Sequence, residues 1–456
     1  MNSLSIILGW LYFSTILVIT IFSIYSFIQE KEWKALAKGI LLFFPFLIII
    51  ILLIFDFLVK HWIILSIILA NGIIILLMTL PFNKPQSIQI KGKQKRVDER
   101  DAFFHRFYRI KPGTPEFESY YNDHPEKFDF DQKLRTLPGL GSPGSKSYHP
   151  LTAPFYKAIF SVLDGMTREI EWQPEPNEGK PIPTIPEEFT QRIKGFAHYL
   201  GADLVGTTKL NQAYVYSHIA RGTGKWGTPI ELNHTHAIAI AVEMRHDMIS
   251  QAPENPSITE SAFSYYENAK IAMILAKYIN LLGYEARAHV DGNYRVMCIP
   301  IAADAGLGEL GRLGLLITPD FGPRVRLSVV TTNLSLLQDK PIHFGVQHFC
   351  TICKKCAVNC PTASIDMGEK AVHNGVEKWL SDQDNCYRFW RMQGTDCAIC
   401  LKVCPYSHPK APMHDIIRWL VRRNNITHRL AYMGNEFFYG RRPKPRFPID
   451  KWHGTT

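Results

Sequence analysis

The stretch Cys350-Thr351-Ile352-Cys353-Lys354-Lys355-Cys356-Ala357-Val358-Asn359-Cys360-Pro361 decides more about this chain than any other. Its spacing is C-x2-C-x2-C-x3-C-P. A second run follows, Cys397-Ala398-Ile399-Cys400-Leu401-Lys402-Val403-Cys404-Pro405, with Cys386 upstream. These eight thiols are the ligand inventory of two cubane [4Fe–4S] clusters, and in the bacterial two-cluster arrangement the fourth cysteine of each run crosses to the other cluster. That rule assigns Cys350, Cys353, Cys356 and Cys404 to one cluster. Cys360, Cys386, Cys397 and Cys400 take the other. Zinc sites use four ligands, usually as two spaced pairs, and need no third cysteine followed by C-P. Disulfides would need an oxidising compartment. The ninth cysteine, Cys298, sits in the apolar run Val296-Met297-Cys298-Ile299-Pro300 and reads as a packed core thiol.

The 456-residue chain is long enough for several domains, and its hydropathy is sharply divided. Residues 1–83 are almost wholly apolar. Three stretches, 3–28, 39–58 and 62–82, each reach the roughly 20 residues that cross a bilayer. The first break carries Lys31, Lys34 and Lys38, the second only Lys60, and Lys84, Lys91, Lys93, Lys95 and Arg96 follow the third. The positive-inside rule then puts the N-terminus outside and the C-terminal part on the cytoplasmic side of the inner membrane. The expectation is a multi-pass protein with the lipid bilayer as a partner. The net charge of +10 is partly accounted for by a basic linker at 84–100 facing anionic lipid. No basic stripe is interleaved with aromatics, so nucleic acid is not an expected partner.

Residues 101–190 are rich in Pro, Gly and Tyr with little periodicity, and predict extended arms wrapping a core. A core over 191–344 follows. Its pattern predicts a helix at 189–200 stopped by Gly201, and strands at 202–206, 236–244, 294–300, 314–317 and 325–331. Ser257-x-x-Glu260 has capping-box spacing for a helix ending at Gly283. The ferredoxin part spans 345–410, and 411–456 is a C-terminal extension. The fold class expected is α+β, with a two-cluster ferredoxin domain and three N-terminal transmembrane helices.

An ordered set of short stretches resembles the catalytic subunit of corrinoid-dependent reductive dehalogenases. It includes Asp98-Glu99-Arg100-Asp101, Pro138-Gly139-Leu140-Gly141-Ser142-Pro143-Gly144 and Tyr214-Val215-Tyr216-Ser217. The most specific run is Ala305-Gly306-Leu307-Gly308-Glu309-Leu310-Gly311-Arg312, with Gly322-Pro323-Arg324-Val325-Arg326 after it. The resemblance covers about residues 97–410 and implies a nitroreductase-like α/β core holding a base-off corrinoid (a cobamide) fed by the two clusters. It implies a halogenated organic substrate and an electron donor that is a quinol, a ferredoxin or a flavoprotein. It places the proton donor at Tyr265, with Tyr266 as competitor, and the stabilising cation at Arg326, with Arg324 as competitor. Asn293 matches a pocket asparagine. Gly306, Gly308, Glu309, Gly311 and Arg312 are the implied corrinoid contacts. Members that respire organohalides carry a twin-arginine leader and a separate three-span anchor, whereas this chain reads as though the anchor were fused in front.

Two other functions compete. An epoxyqueuosine reductase-like enzyme shares the corrinoid and cluster arrangement but acts on a tRNA base. A membrane-bound electron carrier would explain the clusters and leave about 250 upstream residues without a role.

Overall fold

The apolar run at 236–244 forms a strand, and a sheet is built around it. In the computed structural model, which describes residues 3–54, 66, 69–70, 72–73, 76–80, 87–171 and 181–443, four strands make an antiparallel sheet. They are β1 (Leu204–Lys209), β2 (His236–Glu243), β3 (Ala286–His289) and β4 (Val325–Thr332), in the spatial order β1-β2-β4-β3. Ile240 pairs with Val205 on one side and Ser328 on the other.

The two-residue period of β2 sorts its side chains by size. Ile238, Ile240 and Val242 join a core with Ile271, Leu275 and Ile279 of the helix Asn255–Leu281 and with Ile193 of the helix Pro186–Tyr199. Ala237, Ala239 and Ala241 face the opposite way, toward Ile301 and Ala302 of the helix Cys298–Asp304 and the loop residues Ala305 and Leu307. Bulk on one face fills the space under a long helix, and methyls on the other admit a close loop. Gly206, paired with Ala239, lies at that close contact, where a Cβ would collide with the Ala305 carbonyl and Leu307. Gly206→Ala is therefore expected to cost about 3 kcal/mol, the upper end of ordinary overpacking. The denaturant midpoint of the cluster absorbance measures this; an unchanged midpoint would show that the loop yields.

The contacts divide the chain into two units, one of Ile88–Ile342, Lys354–Ser407 and Lys444–Thr456, the other of Met1–Ser87, His343–Cys353 and His408–Pro443. The sheet belongs to the first. The region predicted as extended arms is largely helical there, with helices Phe103–Tyr108, Pro115–Asp123, Pro125–Arg135 and Ala153–Thr167. Its prolines were misleading because Pro115, Pro125 and Pro154 sit in first turns, where no backbone N–H is needed. The stretch 294–300 is not a strand. It leads into the helix Cys298–Asp304, with Pro300 in its first turn. The capping box does not operate either. The long helix starts at Asn255 behind Pro256, Ser257 Oγ donates to the Glu254 carbonyl, and Glu260 accepts from the Arg245 N–H at 2.8 Å.

The second unit corrects the membrane expectation. The first two apolar stretches are helical, as Ser3–Gln29 and Trp33–Ile54, but among the described residues no helix is long and apolar enough to cross a membrane. The third stretch, 62–82, lies mostly outside the described residues, as do 55–58 of the second, 84–86 of the linker and 444–456 of the C-terminal extension. Three transmembrane helices, a bilayer partner and a multi-pass inner-membrane location are therefore not supported. Part of the apolar surface serves helix packing instead. Phe27 meets Phe438 at 5.1 Å and Tyr439 at 6.1 Å on the helix Asn425–Tyr439. The first helix also carries Thr20, Ser23 and Ser26, whose hydroxyls donate to carbonyls one turn back, and it is followed by the buried Glu30.

Candidate active site

Ser261, Tyr265 and Asn268 follow one another at helical spacing on the long helix, so they share the face turned toward β4. Asn268 Nδ2 donates to the Arg326 carbonyl at 2.9 Å, and Ser328 Oγ donates to Asn268 Oδ1 at 3.1 Å, which fixes β4 against the helix at Arg326. The Arg326 guanidinium then lies over the Tyr265 ring, 4.5 Å from its centroid. Its Nη2 donates to Ser261 Oγ at 2.5 Å and to Asp396 Oδ2 at 2.9 Å, and Ser261 Oγ also donates to Asp396 Oδ2. Arg326 Nε and Asp396 Oδ1 are buried and have no hydrogen-bond partner among the described residues. Burial opposes the charge on Arg326, but Tyr265, Asp396, Asp291 and Tyr294 outweigh it and raise its pKa. Burial pushes the Tyr265 phenol up to about 12, while Arg326 pulls it back down.

Around this pair the side chains of Tyr216, Asp291, Tyr294 and Cys298 remain partly accessible, yet burial is the largest contribution to each pKa shift. That combination places them on a concave wall beside the Tyr265–Arg326 pair, the candidate recess. Arg221 closes one side of it, 4.6 Å from the Tyr294 ring centroid and 3.7 Å from Asp291. The fully buried Glu99 holds Arg221 at 2.6 Å and accepts from the Ala220 N–H at 3.0 Å, which gives the Asp98-Glu99-Arg100-Asp101 stretch a mechanical role.

Asp396 immediately precedes Cys397, so the recess adjoins the cysteines. Cys360, Cys386, Cys397 and Cys400 lie close together: Cys360 raises the pKa of Cys386, Cys397 and Cys400, Cys386 that of Cys397 and Cys400, and Cys397 that of Cys400. Burial and this repulsion push Cys386 up to about 11 and push Cys397 and Cys400 up as well. Hydrogen bonds from the Trp390 side chain and from the Ile399 and Leu401 backbones to Cys386, Cys397 and Cys400 act the other way. Ser364 N–H donates to Cys360 Sγ at 3.2 Å. Four crowded sulfurs that repel as thiolates yet receive N–H donors form a donor set suited to a positively charged iron core. None of the nine cysteines is in a disulfide. Lys354 and Ala398, each next after the first cysteine of a C-x2-C pair, both adopt left-handed backbone (φ 50° and 55°). For non-glycine residues this is uncommon, and its repetition at matching positions is a property of the two motifs. Of the other quartet, Cys350 and Cys353 are buried on the helix Val346–Cys353, Cys356 on Lys355–Val358, and Cys404 just beyond Ile399–Lys402.

Residues 349–408 match the 4Fe-4S dicluster domain, so the chain carries that domain. Over 291 residues the chain is 33% identical to the tetrachloroethene reductive dehalogenase of Sulfurospirillum multivorans, covering 56% of this chain and 58% of that one. It is 33% identical over 279 residues to the enzyme of the same name from Dehalobacter restrictus, 51% of this chain and 50% of the relative. The chain thus spans between half and three-fifths of the length of these curated relatives. A solved structure of a catabolic reductive dehalogenase in complex with 3-bromo-4-hydroxybenzoic acid superposes with a TM-score of 0.64 at 24% identity, over 80% of this chain and 49% of that one. That likeness shows a shared mixed α/β fold.

The remaining expected site residues are placed elsewhere. Tyr266 makes a ring contact with the exposed Phe263 at 6.4 Å. Arg324 is fully buried in structural bonds, to the Ser407 carbonyl at 2.6 Å, Glu243 at 2.7 Å and the Met244 carbonyl. Asn293, expected on the pocket wall, is fully buried behind it. Its Oδ1 accepts from Arg287 at 2.9 Å, and its Nδ2 faces the Thr167 carbonyl and Thr223 Oγ1. The glycine loop, expected to approach a corrinoid, is packed against protein. A Cβ would strike the Lys340 carbonyl at Gly306, the Ile317 carbonyl at Gly308 and the Ile317 side chain at Gly311. Glu309 is buried, and Arg312 donates to the Asp366 carbonyl at 2.6 Å and lies over Trp379. Sequence reasoning missed Asp396, Ser261, Asp291 and Arg221. The one available signal was the adjacency of Asp396 to Cys397.

Proposed function

We propose that this chain is a reductive dehalogenase that replaces a carbon–halogen bond by carbon–hydrogen, taking up two electrons and one proton and releasing halide. The observation that carries this reading is Tyr265 beneath Arg326, with Asp396 joining that pair to the Cys360, Cys386, Cys397 and Cys400 quartet. A proton source and an electron source meet at one recess, as such a reaction requires. The relatives named for tetrachloroethene direct the substrate class toward small organohalides, and the quartet Cys350, Cys353, Cys356 and Cys404 is taken as the second cluster site.

A corrinoid, when bound, supplies the strong cobalt reductant for the carbon–halogen bond. Beside Tyr216, Tyr294 and Tyr265, the unsatisfied Arg326 Nε and Asp396 Oδ1 offer a donor and an acceptor to the polar substituents of such a ligand. Tyr265 Oη holds the proton to be delivered, and burial keeps it protonated through neutral pH. Arg326 cannot give up a proton, so its role is to stabilise the phenolate that remains. Ser261 and Asp396 hold the guanidinium in place.

Anaerobic protein supplied with corrinoid should contain about one cobalt and eight iron per chain, the content of one corrinoid and two cubanes. With reduced viologen it should release halide from a panel of chloroethenes and halophenols. Eight iron without cobalt, and no halide, would leave an electron carrier as the better account. Arg326→Gln should lower kcat by about 10²–10³, the loss typical of one preorganised charge-stabilising donor, with little change in KM. The sign follows from the cation: without it the phenol pKa rises further, and proton delivery becomes harder. On account of Tyr265 the rate should stay flat from neutrality to about pH 10, because its phenol is pushed up to about 12. A falling limb near pH 8 in wild type that vanishes in Tyr265→Phe would contradict this placement of its pKa.

A further inference from the structure

Away from the recess, in the unit that contains the N-terminal helices, three donors from distant parts of the chain converge. Glu30 follows the helix Ser3–Gln29, His408 precedes the helix Pro412–Val421, and His414 lies in the first turn of that helix. Glu30 and His414 are buried, at 4% and 6% exposure, and His408 is partly so. One oxygen, Glu30 Oε1, receives both imidazoles: His408 Nδ1 lies 3.4 Å away, and His414 Nε2 is in direct contact. The three ligand atoms all lie within 4.8 Å of one another. The two rings are stacked, 4.5 Å between centroids and 9° between planes.

We propose that Glu30, His408 and His414 bind one divalent transition-metal cation of the zinc class. Two protonated imidazoles stacked face to face would repel each other; on a divalent cation both rings are neutral ligands, and the carboxylate cancels half of the ion's charge. Two histidines and one carboxylate are a recurrent zinc donor set that leaves a fourth position for water or another ligand. An outer layer is present as well. Asn435 Nδ2 lies 2.8 Å from His408 Nε2, the ring nitrogen turned away from Glu30; with the amide turned over, its oxygen accepts the Nε2 N–H and leaves Nδ1 as the ligand. Tyr439 Oη stands 3.4 Å from His414 Nε2, near the open position. The bound ion would fasten the end of the helix Ser3–Gln29 to the helix Pro412–Val421.

The test uses the full chain, purified anaerobically with its clusters intact and titrated with Zn(II). The expected result is uptake of about one zinc per chain without loss of iron. The zinc X-ray absorption edge should show only nitrogen and oxygen neighbours near 2.0–2.2 Å, including imidazole scattering. Glu30→Gln and His414→Gln should each abolish uptake and leave iron unchanged. A chelator should lower the thermal midpoint of wild type, and zinc should restore it. Absence of uptake by wild type, a sulfur shell around the zinc, or full uptake by both variants would overturn the proposal. The wild-type titration and edge are decisive even if a variant does not fold.

Discussion

Tyr265→Phe is expected to reduce halide release by about 10²–10⁴, the range associated with loss of a positioned general acid, while cobalt and iron content stay unchanged. The substitution removes one oxygen. The phenylalanine ring keeps its place beneath the Arg326 guanidinium, where the present contact is 4.5 Å, and its packing against the core under the long helix. Binding of the reactive group and electron supply should both survive, so the loss should fall on kcat and not on KM. Solvent deuterium offers an independent reading: a proton delivered from Tyr265 Oη gives an isotope effect that weakens or disappears once water must substitute. Tyr266→Phe is the control and should behave as wild type, because Tyr266 is directed toward Phe263. Full activity in Tyr265→Phe would move the proton donor elsewhere in the recess.

Cys400→Ala should halve the iron content, from about eight to about four per chain, and bring dehalogenation to background. Cys360, Cys386 and Cys397 all lie close enough to Cys400 to raise its pKa, and a cubane left with three of these thiols has an open iron coordinated only by solvent. The neighbouring Asp396, which holds Arg326, would lose its adjacent cluster, so the damage should extend to the proton site. Electron paramagnetic resonance of the reduced protein should simplify from a pair of interacting clusters to one. Cys298→Ala should retain eight iron. Burial pushes that thiol up to about 12, which keeps it protonated within the recess wall. Retention of eight iron in Cys400→Ala, with loss in Cys298→Ala, would refute the ligand assignment.

The 4Fe-4S dicluster domain was legible because its cysteine motif is local. Cysteines at intervals of two and three residues remain close whatever the rest of the chain does, and the match over residues 349–408 rests on the same local pattern. The central strand was legible for a similar reason, since six consecutive apolar residues with alternating bulk, Ala237 to Val242, allow few alternatives. The N-terminal region shows the limit of such reasoning. Apolar length alone argued for three membrane spans. It could not register that Phe27 would pack on Phe438, or that Glu30 would be buried between two histidines nearly four hundred residues away. The glycine loop is a different case. Its letters allow close backbone approach, but only the fold shows that the approaching partners are the Lys340 and Ile317 backbones.

The sequence by itself determined which thiols are spaced as cluster ligands and where the central strand β2 runs, because those properties depend on spacing of a few residues. Only the tertiary structure decided which tyrosine stands under which arginine. It separated Arg326 from Arg324, two residues apart, by giving one an aromatic ring and an aspartate at the recess and the other Glu243 and two backbone carbonyls. That choice depends on where the long helix crosses β4 and where Asp396 falls beside Cys397, and those positions follow from packing between segments with no neighbourhood in sequence.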